Sequence, residues 1–308
     1  MTVRLIYGPS GCGKSSFVRA GLLPLLPAEV NPVYLECTPE NTENRLVRQI
    51  ANRINSVDPE ETLSNVFRQF RRGDHLEHDD KILIVLDQFE QWLQGKSQMD
   101  HQELTEALRQ CDGNKIICVL LIRDDFWLST SQFMSTLEIP IREGQNALPL
   151  PLFDKRHARH VLTAYGRAFD RLPAQDSGQA ITSSQKKFVR DAVESLSQNE
   201  RVICVHLAVL AEMVKDCPWE VRELRRVGGW EGLGVQFLEN LFSGTQASVN
   251  LRQNETNARM ILGQLLPDKL SNIKGIAKSH LELLQTIASE VSKPVSYTDL
   301  TLPTIYSV

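Results

Sequence analysis

The segment Gly8-Pro9-Ser10-Gly11-Cys12-Gly13-Lys14-Ser15 has the residue types and spacing of a phosphate-binding loop, Gly-x-x-x-x-Gly-Lys-Ser. Glycine reaches the backbone conformations that turn successive amide N–H groups inward on an anion. A helix starting at Lys14 would aim its N-terminus at the same charge. In such a loop the lysine ammonium reaches the β- and γ-phosphates of a nucleoside triphosphate such as ATP or GTP, and the Ser15 hydroxyl ligates Mg²⁺. Residues 8–15 are the candidate phosphate contacts, with the adjacent Ser16 as a secondary one. The bland alternative is a glycine turn that happens to precede a helix.

A second motif supplies an acid. Ile82-Leu-Ile-Val-Leu-Asp87 is an apolar strand that would deliver a carboxylate to Mg²⁺, directly or through water. Glu90 follows three residues on, where it could polarise an attacking water as a general base. The bland readings are a strand-end carboxylate for Asp87 and a solvated helix residue for Glu90. Arg123 comes directly after a second apolar run, 116–122. An arginine at a strand tip beside the loop can sense the γ-phosphate and stabilise charge on the transferred group. The competing reading pairs it with Asp124 or Asp125, two residues that also suit the N-terminal end of a following helix. The catalytic candidates are Lys14, Asp87, Glu90 and Arg123, and the metal candidates are Ser15 and Asp87.

A phosphate loop needs a rigid frame. Residues 3–7 are short, apolar and β-prone, and the stretch from Lys14 reads as a helix that ends before Pro24. Residues 32–37 form a second strand candidate, and 41–70 carry helical periodicity. The runs at 81–87 and 115–122 are continuously apolar, as strands buried on both faces of a parallel sheet require. Residues 147–152 offer one more short strand. Strands alternating with helices predict an α/β fold with a parallel-sheet core. From about residue 153 only helical patterns are legible, at 154–169, 183–197, 203–216, 233–242 and in two or three further segments over 250–290. A border therefore falls near residue 152. The last stretch, 294–308, has no helical period and is similar to a translated sequencing adapter. It is set aside as a non-native tail, the alternative being a terminal strand.

A net charge of −4 gives no electrostatic case for nucleic acid or for an anionic membrane. The 308 residues hold no apolar run of membrane-spanning length and open with no signal peptide, so a cytoplasmic protein is expected. The six cysteines are scattered with no metal-ligand spacing, which reads as reduced thiols.

With these residues assembled, the chain resembles the STAND class of P-loop NTPases, and within it the novel STAND group of bacterial multidomain signalling proteins. The resemblance rests on the run from Gly8 to Pro24, on Leu86-Asp-Gln-Phe-Glu-Gln-Trp92 and on Ile122-Arg-Asp-Asp-Phe-Trp127, with weaker matches at 137–141, 207–213 and 227–239. It implies a P-loop core over 1–152, an all-helical lid over 153–243 and part of a winged-helix-like domain over 244–293. It implies ATP rather than GTP, with Mg²⁺ and slow hydrolysis to ADP. It further implies an ATP/ADP switch in signal transduction that drives self-association, with effector and sensor domains fused in a longer parent chain. Related sequences carry proline where Cys204 stands, which leaves the lid's contact with the adenine region open. Other readings share the motifs: an AAA or origin-recognition-like DNA-associated ATPase, a small-molecule kinase, or a scaffold that holds nucleotide without hydrolysing it. The absence of a basic face weighs against the first, the absence of a legible acceptor pocket against the second, and Glu90 against the third.

Overall fold

The computed structural model describes residues 3–76, 80–95, 102–226 and 254–265, together with 237, 239 and 242. Five strands make its frame: β1 (Val3–Gly8), β2 (Val30–Glu36), β3 (Lys81–Asp87), β4 (Ile116–Arg123) and β5 (Ala147–Pro149). They lie in the order β2-β3-β4-β1-β5, with every pairing parallel. The helices of this part are α1 (Lys14–Ser16), α2 (Thr42–Arg53), α3 (Leu63–Arg72), α4 (Phe89–Gly95), α5 (Gln102–Leu108) and α6 (Trp127–Thr136).

Alternate residues of a strand point to opposite faces of a sheet. On β3 and β4, Ile82, Ile84, Leu86, Cys118, Leu120 and Ile122 enter one buried cluster, while Leu83, Val85, Val119 and Leu121 enter another with Ile6 and Val18. Two-sided burial explains why both strands are continuous apolar runs rather than alternating ones. The larger cluster also takes Leu46, Phe67, Phe70, Phe89 and Trp92 from the flanking helices. Each such side chain contributes about 1.5–3 kcal/mol when fully withdrawn from water.

The helix after the phosphate loop departs from expectation. It leaves the α register after Ser16, continues as wider π-helical turns over Phe17–Leu22, and closes in a tight turn at Leu23–Leu25. The amide of Leu23 bonds to the Val18 carbonyl five residues back. Pro24 does not stop the chain ahead of itself. It sits at the start of the tight turn, where a missing N–H costs nothing.

Beyond β5 the chain forms β6 (Phe153–Asp154), α7 (Lys155–Ala168), α8 (Ser183–Leu196), β7 (Ser197–Gln198), β8 (Arg201–Val202), α9 (Cys204–Val214), α10 (Val221–Arg226) and α11 (Glu255–Leu265). The three short strands make an antiparallel sheet in the order β6-β8-β7. Two-residue strands carry no readable alternation, which is why only helices are legible there in the sequence. Two compact units result: Met1–Val161 with Ser197–Leu207, and Leu162–Leu196 with the described residues from Ala208 onward. In the second unit Phe188 stacks on Trp219 at 5.1 Å, and the Trp219 ring occupies the space that a side chain at Gly166 would need. Most of the expected helix at 233–242, most of the region 244–293 and the tail 294–308 lie outside the described residues, while Phe237, Glu239 and Phe242 are helical. Among the described residues, no helix is long and apolar enough to cross a membrane.

Candidate functional site

Parallel pairing sets the ends of the strands side by side: Gly8 on β1 is opposite Arg123 on β4, and Glu36 on β2 is opposite Asp87 on β3. The phosphate-loop sequence leaves β1 at this edge. Gly11 and Gly13 hold φ of +75° and +94°, left-handed values that favour glycine. Gly8 is required for a different reason, since a Cβ there would stand 2.1 Å from the Leu150 carbonyl oxygen. Lys14 folds back over the loop, and its Nζ donates to the Gly8 carbonyl at 2.7 Å and to the Pro9 carbonyl at 3.1 Å. Ser15 and Ser16 lie in α1, directly after the loop.

Asp87 ends β3 with 2% of its surface exposed. Its Oδ1 accepts the Gln88 amide at 2.8 Å, and Gln88 holds a left-handed φ of +52°. That turn separates Asp87 at the strand end from Glu90 in the first turn of α4. Asp87 Oδ2 accepts a hydrogen bond from the Tyr34 hydroxyl of β2. Ser15 hydrogen-bonds to the same hydroxyl, and the Arg19 guanidinium stands 5.5 Å above the Tyr34 ring. Burial, followed by the bond to Asp87, pushes the Tyr34 phenol well above its ordinary value. Sequence reasoning missed Tyr34, because an aromatic residue in a strand reads as packing.

Glu90 is 4% exposed, and its Oε2 has no hydrogen-bond partner. Burial raises its pKa, while its own amide, the Arg123 amide and the charges of Lys14 and Arg123 act in the opposite direction. Glu90 is therefore a buried carboxylate within electrostatic reach of both cations, not a solvated helix residue. Arg123 pairs with Asp125, lies 5.2 Å from the Phe126 ring, and keeps a buried Nε without a hydrogen-bond partner. Asp124 and Asp125 form the tight turn Asp124–Phe126 ahead of α6.

A distant piece of chain also reaches the loop. The Cys204 amide donates to the Gly11 carbonyl at 3.0 Å, and the Cys204 thiol donates to the Cys12 carbonyl at 3.0 Å. Ile203 fills the space beside Gly11, where a Cβ would meet its Cγ2 at 2.9 Å. Beside the start of the loop lies a cavity of about 340 Å³ lined by Tyr7, Gly8, Pro9, Leu150, Leu152 and Arg201, among others.

These residues suit a nucleotide and its metal. Left-handed glycines and a helix start fit phosphate oxygens. Ser15 and Asp87, joined through Tyr34, offer the oxygen donors that Mg²⁺ takes from proteins alongside phosphate.

Among solved structures, the chain is similar to a Walker-type ATPase of Pyrococcus abyssi, with a TM-score of 0.50 and 16% identity over 97% of this chain and 81% of that one. It is also similar to the ORC2 protein of Aeropyrum pernix in its ADP form, with a TM-score of 0.49 and 16% identity over 96% of this chain and 76% of that one. At such identities the first likeness speaks for the fold alone. A search of curated proteins returns no match. The family model described as Novel STAND NTPase 1 matches residues 2–218, which contain the whole phosphate loop, Asp87, Glu90, Arg123 and Cys204. The chain belongs to the Novel STAND NTPase 1 family, and its parallel α/β core is that of a P-loop NTPase.

Proposed function

We propose that the protein binds ATP with Mg²⁺ at residues 8–16, hydrolyses it slowly to ADP, and uses the exchange as a switch in cytoplasmic signal transduction. The observation that carries this reading is the convergence of a glycine loop, a buried aspartate and a buried glutamate with one unpartnered oxygen on a single sheet edge. In this reading the amides of Gly8, Ser10, Gly11, Cys12 and Gly13 and the side chains of Lys14, Ser15 and Ser16 hold the phosphates, Pro9 shapes the loop without donating to them, and the neighbouring cavity takes the base. Ser15 and Asp87 hold Mg²⁺, which when bound neutralises phosphate charge. Glu90 removes a proton from water as its oxygen attacks the γ-phosphorus, and the bond to the β–γ bridging oxygen breaks to leave ADP. Arg123 exchanges Asp125 for the γ-phosphate and stabilises its charge.

The division into a core over 1–152, a lid over 153–243 and a winged-helix-like part over 244–293 belongs to the same proposal. So do self-association on ATP binding and fused effector and sensor domains in a parent protein. Size-exclusion chromatography of the full chain tests the switch. A larger assembly is expected with a non-hydrolysable ATP analogue than with ADP, and identical elution with both would overturn it.

A further inference from the structure

Two residues that the reading above assigns to Mg²⁺ come from opposite ends of the core sequence, Ser15 after β1 and Asp87 after β3. A hydroxyl and a carboxylate can share one small cation only if both turn their lone pairs to the same point. Mg²⁺ enforces this, because it accepts little departure from octahedral geometry. The hydroxyl must also send its own hydrogen elsewhere.

Tyr34 meets both requirements. It stands on β2, one strand over from Asp87, with its Cα in register with Val85. Its hydroxyl donates to Asp87 Oδ2, while Oδ1 is held by the Gln88 amide, so both carboxylate oxygens are fixed. The bond from Ser15 ends on the same phenol oxygen, and because the phenol hydrogen goes to Asp87, the serine is the donor in that bond and does not use its lone pairs there. The ring that carries the hydroxyl is itself fixed, by Arg19 above it and by packing against the Ile6, Val18 and Val85 cluster.

We infer that Tyr34 is a positioning residue of the metal site, orienting Ser15 and Asp87 through one phenol oxygen so that the two can ligate a single Mg²⁺. The inference rests on the assignment of Ser15 and Asp87 as the metal ligands. Groups that orient metal ligands without touching the metal are typically worth about 10- to 100-fold in metal affinity.

Tyr34→Phe keeps the ring, its packing and its contact with Arg19, and deletes only the shared oxygen. A fluorescent ATP analogue, titrated into the full chain first in EDTA and then at rising Mg²⁺, reads out the effect without turnover. In Tyr34→Phe the metal-free affinity is expected within about twofold of wild type, while the Mg²⁺ concentration at half-effect rises about tenfold or more. A midpoint equal to wild type, in a protein whose Asp87→Asn variant shifts it, overturns the inference and leaves the metal assignment standing. If Asp87→Asn and Ser15→Ala also leave the midpoint unchanged, the metal assignment fails and the inference falls with it. Loss of metal-free binding in Tyr34→Phe would mark a merely structural role and equally overturn it.

Discussion

Lys14→Ala is expected to weaken nucleotide binding by about 30- to 1,000-fold, the effect of removing one charged partner worth about 2–4 kcal/mol from a phosphate contact. In the structure the ammonium is held by the Gly8 and Pro9 carbonyls at 2.7 and 3.1 Å, beside the space that the loop encloses. An anion entering the loop meets a cation already aimed across it, so little side-chain ordering remains to oppose binding. Alanine removes the charge and leaves two carbonyls without their donor. Calorimetric titration with ADP and with an ATP analogue measures the loss, and thermal melting without nucleotide shows that the fold persists. Affinity within twofold of wild type would remove the loop from the phosphate site.

The second large effect is expected at Glu90. Glu90→Gln should lower phosphate release by about 10²- to 10⁴-fold, the contribution of a positioned general base. Nucleotide affinity should hold, because glutamine keeps the shape of the side chain. The pH dependence has a defined sign. Burial raises Glu90 above the ordinary carboxylate range. A base must be ionised, so hydrolysis should fall on acidification at a higher pH than an exposed glutamate would give. Stability moves the other way. The folded state holds this proton more tightly than the unfolded chain, so the contribution is full below the unfolded-chain value and is lost as pH rises through the folded one. Single-turnover phosphate release across pH tests the rate, and denaturant unfolding across pH, for wild type and variant, tests the stability. Wild-type rates in Glu90→Gln would reassign the carboxylate to structure.

The parts of this molecule that could be read from sequence are those whose physics is local. Apolar runs at β3 and β4 reflect burial on both faces, and glycine, lysine and serine at fixed offsets reflect one loop wrapping one anion. Asp87 and Glu90 are legible because a strand end and the first turn of a helix follow each other in the chain. The competing readings of Arg123 rested on its neighbours, and the ion pair present in the structure is the one with Asp125. Tyr34 was not legible because its partner Asp87 lies 53 positions away, and only parallel pairing brings the two together. The π-helical turns at Phe17–Leu22 left no mark either, since their hydrogen-bond shift has no residue signature here.

Position 204 shows how a departure from family pattern can carry its own chemistry. Proline, which the resemblance would place there, has no N–H. The cysteine in its place donates twice to the loop, through its amide to Gly11 and through its thiol to Cys12. A proline could make neither bond, so this chain joins position 204 to the loop by backbone and thiol contacts of its own.

The thiol contact joins residues 192 positions apart. A ribosome adding about 5–20 residues per second needs about 10–40 s to cover that distance. For that interval a nascent chain has its glycine loop but not the segment that bonds to Gly11 and Cys12. The loop thus acquires these neighbours well after its own residues are joined, and the timing is set by the pace of synthesis.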